Sequence, residues 1–246
     1  MSTEPVWPDG YAAITRDSVD STNAEGFRLI PELERPTWIL GLEQTGGRGR
    51  RGRGWQTPRG NFSATLMMRP TGTPGWSALR SFMAANALFE TLALYVERTR
   101  LSLKWPNDVL LDNGKVAGIL LETTTRPNGE VDWLAIGIGV NLAHLPDGIR
   151  DAAFPPVMLD TAPDPEDFLL RLAGYYATQE SIIEQLGFEP IREKWLRHAA
   201  RLGEVITART GDDEVTGTFR SIDEAGHLIL DTPDGERRIA AADVYF

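Results

Sequence analysis

The sequence of 246 residues contains no cysteine, so disulfides, thiolate metal sites and a cysteine nucleophile are excluded. It also lacks a run of about 18 apolar residues, the length that a membrane-spanning helix needs. The first ten residues, MSTEPVWPDG, have no apolar stretch of the kind that a secretory signal requires. Together these absences predict a cytoplasmic protein without a membrane partner.

Lysine is scarce in the chain, with three lysines against 22 arginines. The 35 acidic residues outnumber the 25 basic ones and give a formal net charge of −10. Such an acidic balance argues against a general binder of nucleic acid or of anionic membranes. Two of the three lysines, Lys104 and Lys115, nevertheless lie close together, and the segment between them is a candidate site.

The densest cationic segment is the Gly/Arg loop, residues 46–55, which reads GGRGRRGRGW. Glycine is unfavourable inside helices and strands, so this segment is predicted to be a loop. Glycine lets backbone N–H groups approach a ligand closely, and the guanidinium fork of arginine fits carboxylate and phosphate. The segment does not match G-x-x-x-x-G-K-[ST], the phosphate-binding loop of nucleoside triphosphatases. It therefore predicts a site for a small, dense anion, carried by Arg48, Arg50, Arg51 and Arg53.

The alternative for the Gly/Arg loop is a solvated basic segment or an RNA-binding segment. This alternative is disfavoured because the loop is short and leads directly through Trp55 into a strand. Trp55 itself has two interpretations: an ordinary core residue, or a surface that stacks on a base or covers a ligand.

A second candidate segment, residues 104–118, reads KWPNDVLLDNGKVAG. It places Lys104 and Lys115 on either side of Asp108 in the chain. A turn alone accounts for the Asn107–Asp108 pair as readily as a site does. In the functional interpretation, lysine offers phosphates a compact point charge, and Asp108 holds Mg²⁺ beside the same phosphates.

The third candidate segment is GIGVN at 137–141. It lacks the third glycine and the following helix of a dinucleotide site, so its glycines by themselves indicate close contact within a sheet. In the functional interpretation, Asn141 at the end of the strand forms hydrogen bonds with an amide or with the edge of a base. The three histidines, His144, His198 and His227, are scattered without the spacing of metal ligands.

Hydrophobic periodicity and turn residues predict an α+β fold. A helix is predicted within 18–30, where Thr22 and Glu25 fit a capping box and Ser21 and Asn23 are also able to cap. The longest helical pattern runs over 76–98. The strongest hairpin signal is the Asn113–Gly114 turn. Further strands are predicted at 37–44, 61–70, 101–105, 111–125 and 131–142, and further helices at 167–186 and 190–200.

The strands follow one another through tight turns, which predicts a mixed or antiparallel sheet rather than a βαβ array. After Gly203 the chain changes to short strands separated by GDD, DEAG and PDG turns. This pattern of short strands and turns predicts a β-barrel-like module of about 44 residues. The predicted domains are therefore 1–202, with the candidate segments, and 203–246.

These motifs together resemble the biotin protein ligase family. The resemblance covers about residues 15–142 and the terminal β module, and it rests on STN at 21–23, Gln44, GRGRRGRGW at 47–55, KWPNDV at 104–109, GKVAGIL at 114–120 and GIGVN at 137–141. The fold it implies is a class II synthetase-like catalytic domain, a mixed sheet with helices on one side, followed by an SH3-like C-terminal barrel. The activity it implies has two steps: biotin and ATP form biotinyl-5′-AMP, and biotin then passes to a lysine of a biotin carboxyl carrier domain.

The resemblance also implies roles for individual residues. The implied catalytic residues are Lys115 and Arg48, which would flank the junction between the biotin carboxylate and the α-phosphate. The implied biotin-binding residues are Ser21, Thr22, Asn23, Gln44, Gly47, Arg48, Gly49, Arg50, Lys115, Gly118 and Gly137. The implied ATP-binding residues are Arg50, Arg51, Trp55 (stacked on adenine), Asn107, Asp108, Lys115 and Asn141, with Asp108 also as the Mg²⁺ ligand.

Fewer than 20 residues precede the STN motif, so we expect no N-terminal DNA-binding domain of the kind that some members of this family carry. The expected partner is the carrier domain of a biotin-dependent carboxylase, and no nucleic acid is expected; monomer and homodimer both stay open. Three alternatives compete with this function: a lipoate or octanoate ligase or transferase of similar fold, an RNA-binding module, and a biotin or nucleotide sensor without turnover.

Overall fold

A seven-stranded mixed sheet forms the larger part of the molecule. The computed structural model describes residues 6–146, 154–210 and 213–245. The strand order is β1-β2-β3-β7-β6-β5-β4. Strands β1 and β2 are parallel, and the other five neighbouring pairs are antiparallel. The strands are β1 (Ala12–Arg16), β2 (Thr37–Gly41), β3 (Phe62–Met68), β4 (Leu101–Lys104), β5 (Asp108–Leu111), β6 (Gly114–Thr125) and β7 (Val131–Val140).

Five helices and a second sheet complete the described chain. The second sheet has five antiparallel strands in the order β11-β10-β9-β8-β12. Its strands are β8 (Val205–Thr210), β9 (Asp213–Ile222), β10 (Leu228–Thr232), β11 (Gly235–Ile239) and β12 (Asp243–Tyr245). The helices are α1 (Thr22–Leu29), α2 (Pro74–Ala78), α3 (Arg80–Leu92), α4 (Pro165–Leu186) and α5 (Glu189–Arg197). The predicted α+β class and C-terminal β module are confirmed; the domain boundary near residue 202 stays a prediction.

The seven-stranded sheet is covered on both faces. Alternate residues of a strand point to opposite faces, and in β2 Trp38 and Leu40 join the large core formed with α3, α4 and α5. Ile39 between them faces the other way and packs with Met67 under α1. The predicted layer of helices is therefore confirmed for α3–α5, and the short helix α1 lies on the opposite face.

The beginning of α1 differs from the predicted capping box. Ser21 is the capping residue, and its hydroxyl accepts from the Ala24 backbone N–H at 3.5 Å. Thr22 is thus already helical, and Glu25 instead pairs with Arg16 at 3.0 Å. The predicted Thr22–Glu25 box is wrong by one position, because several adjacent residues of this segment can each cap a helix.

Two other predicted elements are displaced. The turn between β5 and β6 has its positive φ angles at Asp112 (49°) and Asn113 (64°), one residue before the predicted Asn113–Gly114 pair. Two consecutive positive φ values are those of a type I′ turn, which Asp and Asn tolerate. The long helix predicted over 76–98 is two helices and ends at Leu92; beyond it Tyr95 and Val96 pack on the core without being helical.

The second sheet docks against the first through specific contacts. The indole nitrogen of Trp105 donates to the Gly226 carbonyl at 3.0 Å. Arg192 of α5 donates to the Ile222 carbonyl at 3.0 Å. A side chain at Gly226 would come within 2.6 Å of the Phe82 ring, so this turn fits closely against α3. The docking fixes β12 beside the candidate segments.

Candidate active site

One pocket of about 680 Å³ brings the candidate segments together. It lies on the α1 face of the seven-stranded sheet. Its walls come from the start of α1, the Gly/Arg loop, the turn between β4 and β5, and strands β6, β7 and β12.

The register of the sheet explains why these segments meet. A single row crosses neighbouring strands from Ser63 to Gly139, Gly118, Asp108 and Lys104. Members of such a row stand side by side at the spacing between strands, about 4.8 Å. Antiparallel pairing therefore converts the separate KWPND, GKVAGIL and GIGVN motifs into one continuous floor.

The polar end of the pocket is a hydrogen-bonded network whose pocket-lining side chains are all neutral. The Gln44 side-chain oxygen accepts from the Thr22 backbone N–H at 3.0 Å, and its amide nitrogen donates to Thr57 at 3.3 Å. The Thr65 hydroxyl lies 2.6 Å from Asn23 Oδ1, and Asn23 Nδ2 donates to Glu122 at 2.6 Å. Ser21, Thr22, Asn23 and Gln44, the residues predicted to bond the biotin head group, all line the pocket.

Glycines form the floor because larger residues would collide with what lies above them. A Cβ at Gly137 would sit 2.4 Å from Asn23 Oδ1, and one at Gly139 would sit 2.2 Å from the indole nitrogen of Trp55. A Cβ at Gly118 would lie 3.3 Å from Lys115 Cε and 3.5 Å from the Trp55 ring. The indole of Trp55 thus rests on the sheet within the pocket, and Gly139 joins the two predicted glycines as a floor residue.

The cationic end is organised around one carboxylate. Lys115 Nζ lies 2.7 Å from Asp108 Oδ1, and Lys104 Nζ lies 3.7 Å from Asp108 Oδ2. Lys104 also stands 4.5 Å above the Phe154 ring. Burial lowers the pKa of the Lys104 ammonium, with Asp108 opposing that shift and Lys115 adding to it.

The surroundings of Asp108 decide whether this residue, predicted to bind Mg²⁺, forms a metal site with its neighbours. Its carboxylate faces two ammonium groups, and no three histidine, aspartate or glutamate side chains in the described part of the chain cluster as a metal site. A Mg²⁺ ion is usually held by one or two carboxylates and substrate phosphates. The protein donors present therefore do not form a Mg²⁺ site of their own.

The Gly/Arg loop folds back on itself as a short hairpin. Trp55 N–H donates to the Gly47 carbonyl at 2.9 Å, and Gly49 N–H donates to the Arg53 carbonyl at 2.7 Å. The tip, Arg50–Gly52, is a single 3-10 turn in which Arg51 has a φ of 57°. The fold-back directs the side chains of the loop to different sides.

Not every predicted residue of the loop reaches the pocket. Arg48, Gly49 and Arg50 line it, whereas Gly47 and Arg51 do not. Gly47 is packed beneath the loop, where a Cβ would come within 2.1 Å of Gln44 Nε2. Arg51 points to the second sheet and pairs with Asp243 at 2.8 Å.

The two asparagines predicted to bind ATP, Asn107 and Asn141, line the pocket, and their side-chain amides already donate to backbone carbonyls. Asn107 Nδ2 donates to the Ile119 carbonyl at 2.6 Å, and Asn107 Oδ1 accepts from Arg50 at 3.5 Å. Asn141 Nδ2 donates to the Val157 and Lys115 carbonyls at 3.1 and 3.4 Å. Both side chains therefore hold the backbone and cations around them in place.

Three charged residues that line the pocket have no role among those implied by the family resemblance: Lys104, Arg53 and Asp243. The sequence does signal the first two, because Lys104 precedes Asp108 by four residues and Arg53 belongs to the Gly/Arg loop. Asp243 has no such signal, since its partners are 190 and 192 residues away in the chain.

The chain is similar to known proteins in both sequence and fold. The family model described as the biotin/lipoate A/B protein ligase family matches residues 13–141, and the biotin protein ligase C-terminal domain matches residues 202–246. A biotin–[acetyl-CoA-carboxylase] ligase of Paracoccus denitrificans is 50% identical over 92% of this chain and 97% of its own. The chain belongs to the biotin protein ligase family.

Two further relatives of this family member extend the comparison. The bifunctional ligase/repressor BirA of Escherichia coli is 29% identical over 91% of this chain and 70% of its own. The biotin protein ligase of Aquifex aeolicus, solved in complex with biotin and ATP, has a TM-score of 0.81 and 24% identity, covering 95% of this chain and 98% of its own. The latter likeness supports the fold. None of the helices described is long and apolar enough to cross a membrane.

Proposed function

We propose that this chain is an ATP-dependent biotin protein ligase. It forms biotinyl-5′-AMP and pyrophosphate from biotin and ATP, and then transfers the biotinyl group to a lysine of a biotin carboxyl carrier domain. The observation that carries the proposal is a single pocket that joins a neutral hydrogen-bonding end to a cationic end. Family membership and the 50% identical carboxylase ligase support it.

The neutral end suits the ureido head group of biotin, which presents amide-like donors and a carbonyl acceptor. Ser21, Thr22, Asn23 and Gln44 are assigned to this group. The hydrogen bonds between Thr22 and Gln44 and between Thr65 and Asn23 fix these rotamers before binding, which reduces the ordering cost of the complex. The rings then lie over the glycine floor at Gly118 and Gly137, with Trp55 shifting from its position on that floor.

The cationic end suits the reacting anions. Two unit charges 4 Å apart repel by about 4 kcal/mol at an effective dielectric near 20, so a carboxylate meets an α-phosphate only where positive groups offset the repulsion. Arg48 and Lys115 are assigned to that junction. The Arg48 side chain has no hydrogen bond or ion pair within the described residues, and Lys115 is held by a single carboxylate. No protein nucleophile is needed, which agrees with the absence of cysteine.

The remaining roles concern ATP. Arg50 is assigned to the phosphates because it lines the cationic end of the pocket. Burial lowers its pKa, but arginine keeps its charge at neutral pH. Trp55 is assigned to adenine, while Asn107 and Asn141 act by holding Arg50 and the Lys115 backbone. Arg51 points away from the pocket in this structure, so a phosphate contact requires it to leave Asp243. Mg²⁺ enters with the substrate as MgATP.

The expected partner is the biotin carboxyl carrier domain of a carboxylase, in line with the name of the 50% identical relative. Consumption of ATP fits the cytoplasmic location predicted from the sequence. The absence of a nucleic-acid partner remains part of the proposal, and monomer and homodimer both stay open.

The test is a transfer reaction with purified chain, MgATP and an isolated biotin-acceptor domain. With biotin, we expect pyrophosphate release and one biotinyl mass increment on the acceptor lysine. With lipoate or octanoate, the apolar tail leaves the polar network unpaired, and we expect kcat/KM to fall by about 100-fold or more. The measurements are coupled pyrophosphate detection and intact-protein mass spectrometry.

Each alternative has its own outcome in this assay. Preference for lipoate or octanoate would overturn the choice of substrate. Binding of biotin without pyrophosphate release would identify a sensor. Tight RNA binding that weakens steeply with salt, in place of turnover, would identify an RNA-binding module.

A further inference from the structure

Asp243 of the second sheet makes two ion pairs with the Gly/Arg loop. Its Oδ2 lies 2.8 Å from Arg51 Nη1, and its Oδ1 lies 3.0 Å from Arg53 Nη2. The preceding residue takes part as well, since the Ala242 carbonyl accepts from Arg50 Nη1 at 3.3 Å. Three of the four loop arginines are thus bonded to Asp243, the first residue of β12, or to Ala242 directly before it.

The anchor itself is rigid. The Ala242 and Val244 side chains on either side are 0% and 4% exposed and belong to the core. Strand β12 pairs with β8, with Asp243 opposite Arg209. Asp243 is only 18% exposed, although Arg51 and Arg53 are 47% and 63% exposed. The half-buried carboxylate of Asp243 is therefore the anchoring group, and the more exposed side chains of Arg51 and Arg53 are the groups that it holds.

The charges of the loop explain what this carboxylate does. Four guanidinium groups within six positions repel one another when the loop folds back, and the tip places Arg51 at a φ of 57°, which non-glycine residues rarely adopt. Asp243 offsets two of these four charges, those of Arg51 and Arg53. It leaves Arg48 and Arg50 to the substrates while the loop stays folded over the pocket.

We propose that Asp243 is a positioning residue that anchors the Gly/Arg loop to the second sheet and so sets how long the acyl-adenylate is retained before transfer. This inference rests on the proposed function for its kinetic part. It gives the C-terminal module a defined task in the reaction, because the anchor belongs to β12 and not to the sheet that forms the pocket floor.

The test compares the wild-type chain with four variants. Asp243→Asn removes the charge and Asp243→Glu restores it, while Arg51→Gln breaks one of the two pairs outside the pocket wall. The matched control is Asp231→Asn, which removes a carboxylate of the same sheet that pairs with Arg220 at 3.5 Å, away from the pocket. The readouts are the rate of tryptic cleavage within 50–53, the dissociation rate of biotinyl-5′-AMP from the purified complex, and kcat and KM for pyrophosphate release.

We expect Asp243→Asn to release the adenylate about tenfold faster, which corresponds to about 1.4 kcal/mol and fits the loss of two partly exposed ion pairs. Tryptic cleavage should accelerate in parallel. Arg51→Gln removes one tryptic site, so it is compared through adenylate release, where it should show a smaller change of the same sign. Asp243→Glu should recover most of the wild-type retention, and Asp231→Asn should match wild type.

Unchanged cleavage and unchanged adenylate release in Asp243→Asn would overturn the anchor, and so would equal effects of Asp231→Asn. If the wild-type chain forms no adenylate, the proposed function fails instead. The cleavage comparison still decides whether Asp243 holds the loop in that case. If Asp243→Asn does not fold, the graded effect of Arg51→Gln decides between the two outcomes.

Discussion

Replacement of Lys115 with methionine is expected to slow pyrophosphate release from biotin and MgATP by about 100- to 1000-fold, the usual cost of a lost charge-stabilising group in an enclosed site. Methionine keeps an unbranched chain but removes the ammonium that lies 2.7 Å from Asp108. The negative charge of the reacting carboxylate and phosphate would then have one cation fewer to offset it. Single-turnover pyrophosphate release, measured at saturating biotin and ATP, isolates the chemical step.

The chain supplies a matched control for this experiment. Lys194 is the third lysine; it lies on α5, pairs with Glu90 at 2.9 Å and takes no part in the pocket. Lys194→Met should leave pyrophosphate release near the wild-type rate. Lys115→Met should unfold at nearly the wild-type temperature, because Lys104 still neutralises Asp108. A wild-type rate in Lys115→Met would remove this lysine from the mechanism.

Replacement of Gly137 with alanine is expected to weaken biotin binding by at least about tenfold and to cost about 1–3 kcal/mol of folding stability, as overpacking in a buried site does. The added Cβ would sit 2.4 Å from Asn23 Oδ1, far inside contact distance. Asn23 is held on both sides, by Thr65 at 2.6 Å and by Glu122 at 2.6 Å, so it moves only by breaking those bonds. Isothermal titration with biotin gives the affinity, and thermal unfolding gives the stability.

The control for Gly137→Ala is the same substitution on a helix. A Cβ at Gly174 of α4 meets nothing within 4 Å. Gly174→Ala should therefore raise the free energy of unfolding by about 0.5–1 kcal/mol and leave the affinity for biotin unchanged. If both alanine variants bind biotin as the wild type does, the neutral end of the pocket is not the head-group site.

Much of the pocket floor could be predicted from the sequence because short-range pairing produces it. Tight turns join β5, β6 and β7, so the pairing of these strands follows from local hairpins, but a register shift in each pair, between Val109 and Leu110 and between Thr124 and Thr125, sets the final alignment. Those registers bring Asp108, Gly118 and Gly139 into one row. The same reasoning could not place the edge strand β1, whose five residues carry too little pattern, nor the exact cap of α1, where several residues can serve.

Composition and spacing by themselves determined that this chain has no thiol chemistry and that it gathers cations in one loop, and its motifs resemble those of the biotin protein ligase family. Each of these conclusions depends on residue type or on residues near one another in the chain. The tertiary structure alone decided which loop arginines face the pocket, that Asp108 faces two ammonium groups, and that Asp243 anchors the Gly/Arg loop. The physical reason is that an ion pair between residues 51 and 243 depends on how two sheets dock, and docking is a sum of many weak packing contacts that leaves no local signal in the sequence.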